Sequence, residues 1–194
     1  MDEKKDFRSL RTQRHLRKAL CELLYEKPIN KITIRELTEK AEISRCTFYL
    51  YHDSIYSMVK SIENDMLSDF REGVKSILSN NVDFKTLISD LITFSFQHKY
   101  DNLPYSKLLY VNSGNPEFIG QYNKIAIEEL CLAFPGKINT EMKTFLNFYF
   151  SGIIALIHEW ILNKIIESPK EMSNRVINMI TNGSVYLDMF NSGK

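Results

Sequence analysis

Apolar residues recur along this chain with the spacing of amphipathic helices. An i, i+3, i+4, i+7, i+8 pattern predicts a first helix over residues 7–26, and its apolar face is made of Leu16, Ala19, Leu20, Leu23 and Leu24. A second long pattern runs from Ile55 to Ile77 and predicts a helix of about six turns, capped by Asp53 or Ser54. These two segments frame a shorter and more informative stretch.

That stretch predicts two short helices joined by a tight turn. Thr33 is a good N-cap and Glu36, three residues later, completes a capping box. Ser44 caps the next helix, which we expect to end near Leu50. Two short helices with a turn of three or four residues form the motif that places its second helix in the major groove of DNA. The segment therefore predicts a DNA-binding head.

The rest of the chain also has helical periodicity. Further helices are predicted over 84–100, 104–111, 116–134, 142–167 and 170–190, with breaks at 79–83, 112–116 and 135–137. With only 7 glycines and 5 prolines in 194 residues, strand-and-turn architectures are disfavoured. We predict an all-α protein of about nine helices, with a helix-turn-helix domain over 1–53 and a helical body over 54–194.

Charge is unevenly distributed along the chain, although the net charge is only +1. Residues 1–60 hold 13 lysines and arginines against 9 aspartates and glutamates, and seven of the basic residues lie between Lys4 and Lys18. A solvated helix face is the alternative explanation for such a run. Its position beside the helix-turn-helix favours contact with DNA phosphates.

No motif for catalysis, a metal or a cofactor is found. Cys21, Cys46 and Cys131 are widely spaced and odd in number, which indicates reduced thiols. The four histidines have no metal-ligand spacing, and phosphate loops, a GxSxG motif and paired carboxylates are missing. We expect a protein that is not an enzyme and binds no metal or cofactor. Cys46 as a redox switch is an alternative to its role as a small contact residue.

Two further observations predict a cytoplasmic protein. The N-terminus is charged and has no apolar signal segment. The stretch Thr144–Leu162 approaches membrane-spanning length, but Asn147, His158 and Glu159 inside it favour a helix that is buried or faces a partner.

Residues 10–60 combine RTQ (11–13), an apolar first helix, TIRELTEKA (33–41) and ISRCTFY (43–49). This combination resembles the TetR/AcrR family of bacterial transcriptional regulators. The stretch GIIALIHEWIL (152–162) is similar to the C-terminal region of members from low-GC Gram-positive bacteria. The resemblance implies a homodimer that binds a palindromic operator in double-stranded DNA, as a repressor rather than an activator.

Candidate DNA contacts follow from the motif and from the resemblance. Arg45, Cys46 and Tyr49 share one face of the third helix, opposite Ile43 and Phe48. Arg45 is expected to contact a guanine or a phosphate, and the resemblance implies a phosphate contact by Tyr49. The full predicted set is Thr33, Arg45, Cys46, Thr47, Tyr49, Tyr51, His52, Lys5, Arg8 and Arg11.

The chain departs from the family pattern at three positions. Glu42 stands where a turn glycine is usual, His52 where an aromatic residue is expected, and Ile55 where a lysine commonly opens the fourth helix. Loss of that lysine predicts weaker binding or greater reliance on the basic N-terminal arm.

The body suggests two further sites, each with a plain core as its alternative. Phe94, Tyr105, Tyr110 and Phe118 are candidates for a small-molecule effector pocket, whose occupation is hypothesised to pivot the fourth helix. Phe148, Gly152, Leu156 and Trp160 form a stripe that predicts a dimer interface. The alternative function is a diverged helical adaptor that acts through a protein partner, without ligand control or DNA binding.

Overall fold

A computed structural model describes residues 3–80, 83–112, 116–163 and 166–183. Within these ranges the chain forms helices and no strands, which confirms the all-α prediction. The α-helices are α1 (Glu3–Glu26), α2 (Ile34–Lys40), α3 (Arg45–Tyr49), α4 (Ile55–Asn80), α5 (Phe84–Asp101), α6 (Leu103–Lys107), α7 (Pro116–Ala133), α8 (Thr140–Leu162) and α9 (Pro169–Thr181). A 3₁₀ turn covers Ile29–Lys31 and a π-helical segment covers Leu108–Asn112.

The helices form two compact units. The head unit comprises residues 1–66 and 107–114, and the body unit comprises residues 67–106 and 115–194. The division falls inside α4, so this helix contributes residues to both units. The predicted boundary after residue 53 had assigned the whole helix to the body.

The head unit packs α1 against α2, and α2 against α3. Its apolar centre is fully buried and consists of Leu16, Leu20, Leu37, Phe48 and Met58. Salt bridges from Lys40 to Glu22 and Glu26 also connect α2 to α1. These contacts fix the outward direction of the short α3, which is too short to be stable by itself.

Local sequence signals determine both ends of α2. At its start, the Thr33 hydroxyl accepts a hydrogen bond from the Glu36 amide, while the Glu36 carboxylate accepts one from the Thr33 amide. At its end, Glu42 adopts a left-handed φ of 56°. The Ile43 amide donates to the Thr38 carbonyl at 3.0 Å, and the Glu42 amide to the Glu39 carbonyl at 3.2 Å. This Schellman motif closes the turn without the usual glycine.

In the body unit, α5 packs against α9 and α8, and α7 packs against α8. Arg71 on α4 forms salt bridges with Glu128 and the buried Glu129 on α7. Helix α8 ends at Leu162, earlier than the predicted residue 167, and Ser168 and Glu171 form the capping box that starts α9. The predicted last turns of α9, to residue 190, lie outside the described residues.

Candidate nucleic-acid interface

Helix α3 has one buried face and one exposed face. The Ser44 hydroxyl accepts a hydrogen bond from the Thr47 amide at 3.0 Å and caps the helix. Phe48 points inward and is fully buried, whereas Arg45, Cys46 and Tyr49 are exposed. The structure therefore brings three predicted DNA contacts together on one surface of the head unit.

A basic stripe lies on α1 of the same unit. Arg8, Arg11, Arg14 and Lys18 are exposed, and their spacing places them on one side of the helix. Among the described residues, none of these four forms an ion pair, nor does Arg45. Lys27, Arg35 and Lys40 of the same unit are paired with carboxylates. The unpaired cations are available to a polyanion. The side chain of Lys5 lies outside the described part.

Other predicted contacts have structural roles in the head unit. The Thr33 hydroxyl and amide both interact with Glu36, whose carboxylate occupies the N-terminus of α2. The Lys27 ammonium and the capping bonds from Thr33 lower the pKa of Glu36 to about 2, so this carboxylate is ionised near neutral pH. The Thr47 hydroxyl lies 2.8 Å from that of Ser44. Tyr51 is partly buried.

His52 does not have the exposure that its predicted role requires. Only 7% of it is exposed, and its ring lies 5.8 Å from that of Phe48, between centroids. Burial, and then the charge of Arg17, lower the pKa of His52. This inward-facing imidazole belongs to the core of the head unit, because the His52 amide donates to the Phe48 carbonyl at 3.0 Å and the turn holds the two rings close together.

Leu50 is an exposed residue of this surface that the sequence interpretation did not include among the candidate DNA contacts. It is 79% exposed, and its amide donates to the Cys46 carbonyl at 3.2 Å, so the helical turn continues through it. The signal was present in the sequence, since residue 50 follows Cys46 by four positions and lies nearly opposite the inward Phe48.

The cysteines have different environments. Cys46 is exposed on α3 and Cys131 is partly buried. Cys21 is buried, and burial, followed by the charge of Glu22, raises the pKa of its thiol to about 11. A thiol that remains protonated near neutral pH is unreactive. Among the described residues, no group of His, Cys, Asp or Glu is arranged to hold a metal ion.

The body unit contains an aromatic cluster, defined here as Phe70, Phe94, His98, Phe118 and Tyr122. Phe70 stacks on Phe94 at 5.4 Å and meets Tyr122 edge-on at 4.8 Å, and Tyr122 contacts Phe118 at 5.4 Å. Gly73 allows the close approach of Phe94, since a Cβ there would lie 2.1 Å from the Phe94 ring. Two of the four predicted pocket residues, Phe94 and Phe118, thus belong to one cluster.

Two ionisable side chains are buried in this cluster. The Lys99 ammonium lies 3.0 Å from the centroid of the Tyr122 ring, and Lys99 is 2% exposed. Burial lowers the pKa of Lys99 well below its ordinary value, and burial followed by the charge of Lys99 lowers that of His98 to about 3. The other two predicted pocket residues are separated by the division into units, with Tyr105 in the body unit and Tyr110 in the head unit.

Helix α8 has an exposed apolar face. Phe148 is 74% exposed, and Phe145, Gly152, Ala155 and Leu162 continue the exposed side. Their steps of three, four, three and seven residues fit the heptad pattern of helix pairing, with the exposed Glu159 at the position that the last step passes over. We call this set the α8 face. Helix α8 is long and apolar enough to cross a membrane, with a mean hydropathy of 1.4 over its most apolar 18 residues. Core helices of soluble proteins have the same length and composition. In α8, however, only 33% of these 18 residues are buried.

The predicted dimer stripe needs correction at one end. Phe148 and Gly152 lie on the α8 face, but Trp160 is 3% exposed, contacts Phe96 and donates its indole N–H to the Glu167 carbonyl at 3.0 Å. Leu156 and Trp160 line a cleft of about 220 Å³ with residues of α9. Residues spaced four apart are rotated by about 40° relative to one another around the helix axis. The predicted stripe therefore begins on the exposed side at Phe148 and reaches the core at Trp160.

Comparisons with known proteins agree with this architecture. The model of the family described as "Transcriptional regulator C-terminal region" matches residues 87–182. Two Bacillus subtilis (strain 168) relatives are described as uncharacterised HTH-type transcriptional regulators. YxbF is 35% identical over 63 residues, which is 32% of this chain and 16% of YxbF. YvdT is 31% identical over 78 residues, which is 40% of each chain.

The fold is also found in a solved structure. The transcriptional regulator FadR from Bacillus subtilis, in complex with stearoyl-CoA, superposes with a TM-score of 0.71. The superposition covers 87% of this chain and 97% of FadR, at 14% sequence identity. At this identity the likeness concerns the fold alone.

Proposed function

Because this chain belongs to the TetR/AcrR family of transcriptional regulators, we propose that it is a cytoplasmic repressor that binds a palindromic operator as a homodimer. The observation that carries the proposal is the exposed surface of the head unit. Arg45 and Tyr49 on α3 and the unpaired basic stripe on α1 are the groups that a DNA duplex requires of its partner.

Within this surface the residues divide by chemistry. Arg45 can donate two hydrogen bonds to a guanine edge or hold a phosphate, and the Tyr49 hydroxyl can donate to a phosphate. Arg8, Arg11, Arg14 and Lys18 neutralise further phosphates by displacing counterions, so affinity falls steeply with salt. Ile55, which is buried at the start of α4, cannot supply the positive charge of the lysine that is common at this position. The stripe on α1 supplies positive charge instead.

Dimerisation is proposed to occur through the α8 face. A face that exposes Phe145, Phe148 and Leu162 loses apolar area from water when it pairs with an identical face. A second copy satisfies this pattern, because a two-fold axis opposes the same helix to itself. Two heads then read two half-sites, which one short recognition helix cannot do alone.

An effector is proposed to bind at the aromatic cluster of the body unit. Lys99 and His98 bring two polar groups to a site that is otherwise lined by aromatic rings, which is the composition of a small-molecule site. Lys99 and His98 could form hydrogen bonds or ion pairs with a polar ligand group, while Phe94 and Phe118 contact its apolar part. FadR, the structural neighbour described above, was solved with stearoyl-CoA. An acidic ligand with an apolar chain is therefore the first class to test.

The test is a mobility-shift titration on the DNA upstream of the protein's own gene, across a salt series. We expect a specific shift that weakens steeply with salt and is lost in the Arg45→Ala/Tyr49→Ala double variant, with the dimer intact. A folded dimer that shifts this DNA no better than unrelated DNA contradicts autoregulation. Equal binding by the double variant contradicts the α3 surface.

A helical adaptor that acts through a protein partner is the alternative function. The same exposed α3 surface would then bind a protein. A dimer that binds no DNA at low salt, from any part of its genome, would support this alternative.

A further inference from the structure

The outermost line of the recognition helix is apolar. At 100° per residue, Cys46 and Leu50 each lie about 160° from the fully buried Phe48, on the side directed away from the core. Leu50 is 79% exposed and has helical φ and ψ, and its amide bonds to the Cys46 carbonyl at 3.2 Å. The two side chains are therefore stacked one turn apart.

Polar residues flank this line on both sides. Arg45 and Tyr49 lie on one side, and Thr47, whose hydroxyl is 2.8 Å from that of Ser44, lies on the other. Arg45 lies beside the line, and the head unit also carries the exposed basic stripe on α1, which fits a duplex better than an apolar protein surface. When α3 enters a major groove, residues 46 and 50 reach furthest towards the base edges.

The major groove offers one large apolar group to such a line. Its base edges present hydrogen-bond donors and acceptors, except for the C5-methyl group of thymine. We propose that Cys46 and Leu50 determine sequence specificity by contacting thymine methyl groups, so that each operator half-site contains thymine where these residues meet it. This inference rests on the proposed DNA binding and adds the base that the recognition helix selects.

Uracil substitution tests the inference atom by atom. A duplex is first selected from a random pool by the wild-type dimer, and its thymines are then replaced one at a time by deoxyuridine, which removes only the methyl group. At one or two positions per half-site we expect an affinity loss of about fourfold, the value of one buried methyl. The same replacement in both half-sites should cost about fifteenfold.

Three variants assign the contacts. Leu50→Ala should bind the thymine and uracil duplexes equally at the position that Leu50 contacts, and Cys46→Ser should do so at its own position. Both residues are exposed, so neither change removes core packing. Tyr49→Phe is the matched control: it should weaken binding to both duplexes by the same factor and keep the uracil penalty.

The possible outcomes distinguish a failure of the proposed DNA binding from a failure of the proposed thymine contacts. A folded dimer that selects no sequence overturns the proposed function and this inference together. A selected duplex whose uracil analogues all bind as tightly as the thymine form overturns the inference alone. Retention of the full penalty by both Leu50→Ala and Cys46→Ser has the same consequence.

Discussion

Some residues of this protein occupy costly states. Glu42 adopts left-handed backbone angles, although an L side chain there costs about 1 kcal/mol relative to glycine. Lys99 and His98 are buried within an aromatic cluster, where desolvation disfavours their charged forms. The first state belongs to the turn of the helix-turn-helix motif and the second to the proposed effector site. Each can be relieved by a single substitution, with a measurable effect on stability.

The Glu42→Gly variant should be more stable than the wild type by about 1 kcal/mol, because glycine adopts positive φ without strain. Chemical denaturation would measure the free energy of unfolding. The control is Glu39→Gly, an exposed residue of α2 with helical angles, which should lower stability by about 1 kcal/mol. A destabilised Glu42→Gly variant would contradict the strain at this turn.

The buried His98 predicts a loss of stability in mild acid. Its pKa is about 3 in the folded protein, whereas the unfolded chain takes up this proton near pH 6.5. The unfolded state therefore binds more protons below pH 6.5, and the free energy of unfolding falls by up to about 1.4 kcal/mol per pH unit. Above pH 6.5 the imidazole is neutral in both states, and protonation of His98 takes nothing from the free energy of unfolding.

The His98→Gln variant should have a shallower slope between pH 5 and 6.5, measured by denaturation at each pH. His52 and Lys99, whose pKa values are also lowered by burial, act in the same direction, so the slope decreases without vanishing. Equal slopes in variant and wild type would show that His98 is protonated in the folded state.

At the scale of elements, what the sequence predicted depended on local signals. Capping residues and apolar periodicity located the starts of α2, α3 and α9 to within a residue or two, because these signals lie within a few residues of the helix end. The burial of His52 and Trp160 and the exposure of Leu50 were missed, because they depend on the direction in which a helix packs. The spacing of apolar residues shows which side of a helix is buried only when at least one residue that packs against the core is already known.

The salt bridge between α4 and α7 gives a prediction at this scale. Arg71→Met removes the cation that faces Glu129, which is 5% exposed, and should lower the free energy of unfolding by about 2 kcal/mol. Denaturation of Lys75→Met provides the matched control. Lys75 pairs with exposed Glu72 and should contribute under about 0.5 kcal/mol.

Adding Glu129→Gln to Arg71→Met should recover part of the loss, because the uncompensated carboxylate is then removed. No recovery in the double variant would mean that Arg71 acts through packing of its side chain rather than through its charge.

At the scale of the whole molecule, the proposed recognition of a palindromic operator requires a homodimer. Phe148→Glu should convert the dimer to a folded monomer, because pairing would bury two carboxylates in an apolar interface. Sedimentation measures the mass and circular dichroism the fold. The control is Tyr25→Glu, a substitution of an exposed aromatic residue in the head unit, which should remain dimeric. A Phe148→Glu protein that is still a dimer would place the interface elsewhere.

Selection of bound sequences from a random duplex pool tests whether the dimer reads DNA through its two α3 helices. If two α3 helices related by a two-fold axis read DNA, the enriched sequences should contain inverted half-sites whose centres are about 34–36 Å apart, or a multiple of that distance. Arg45→Ala/Tyr49→Ala should enrich nothing under the same conditions. A folded wild-type dimer that enriches no sequence, or the double variant enriching the same one, would contradict the account.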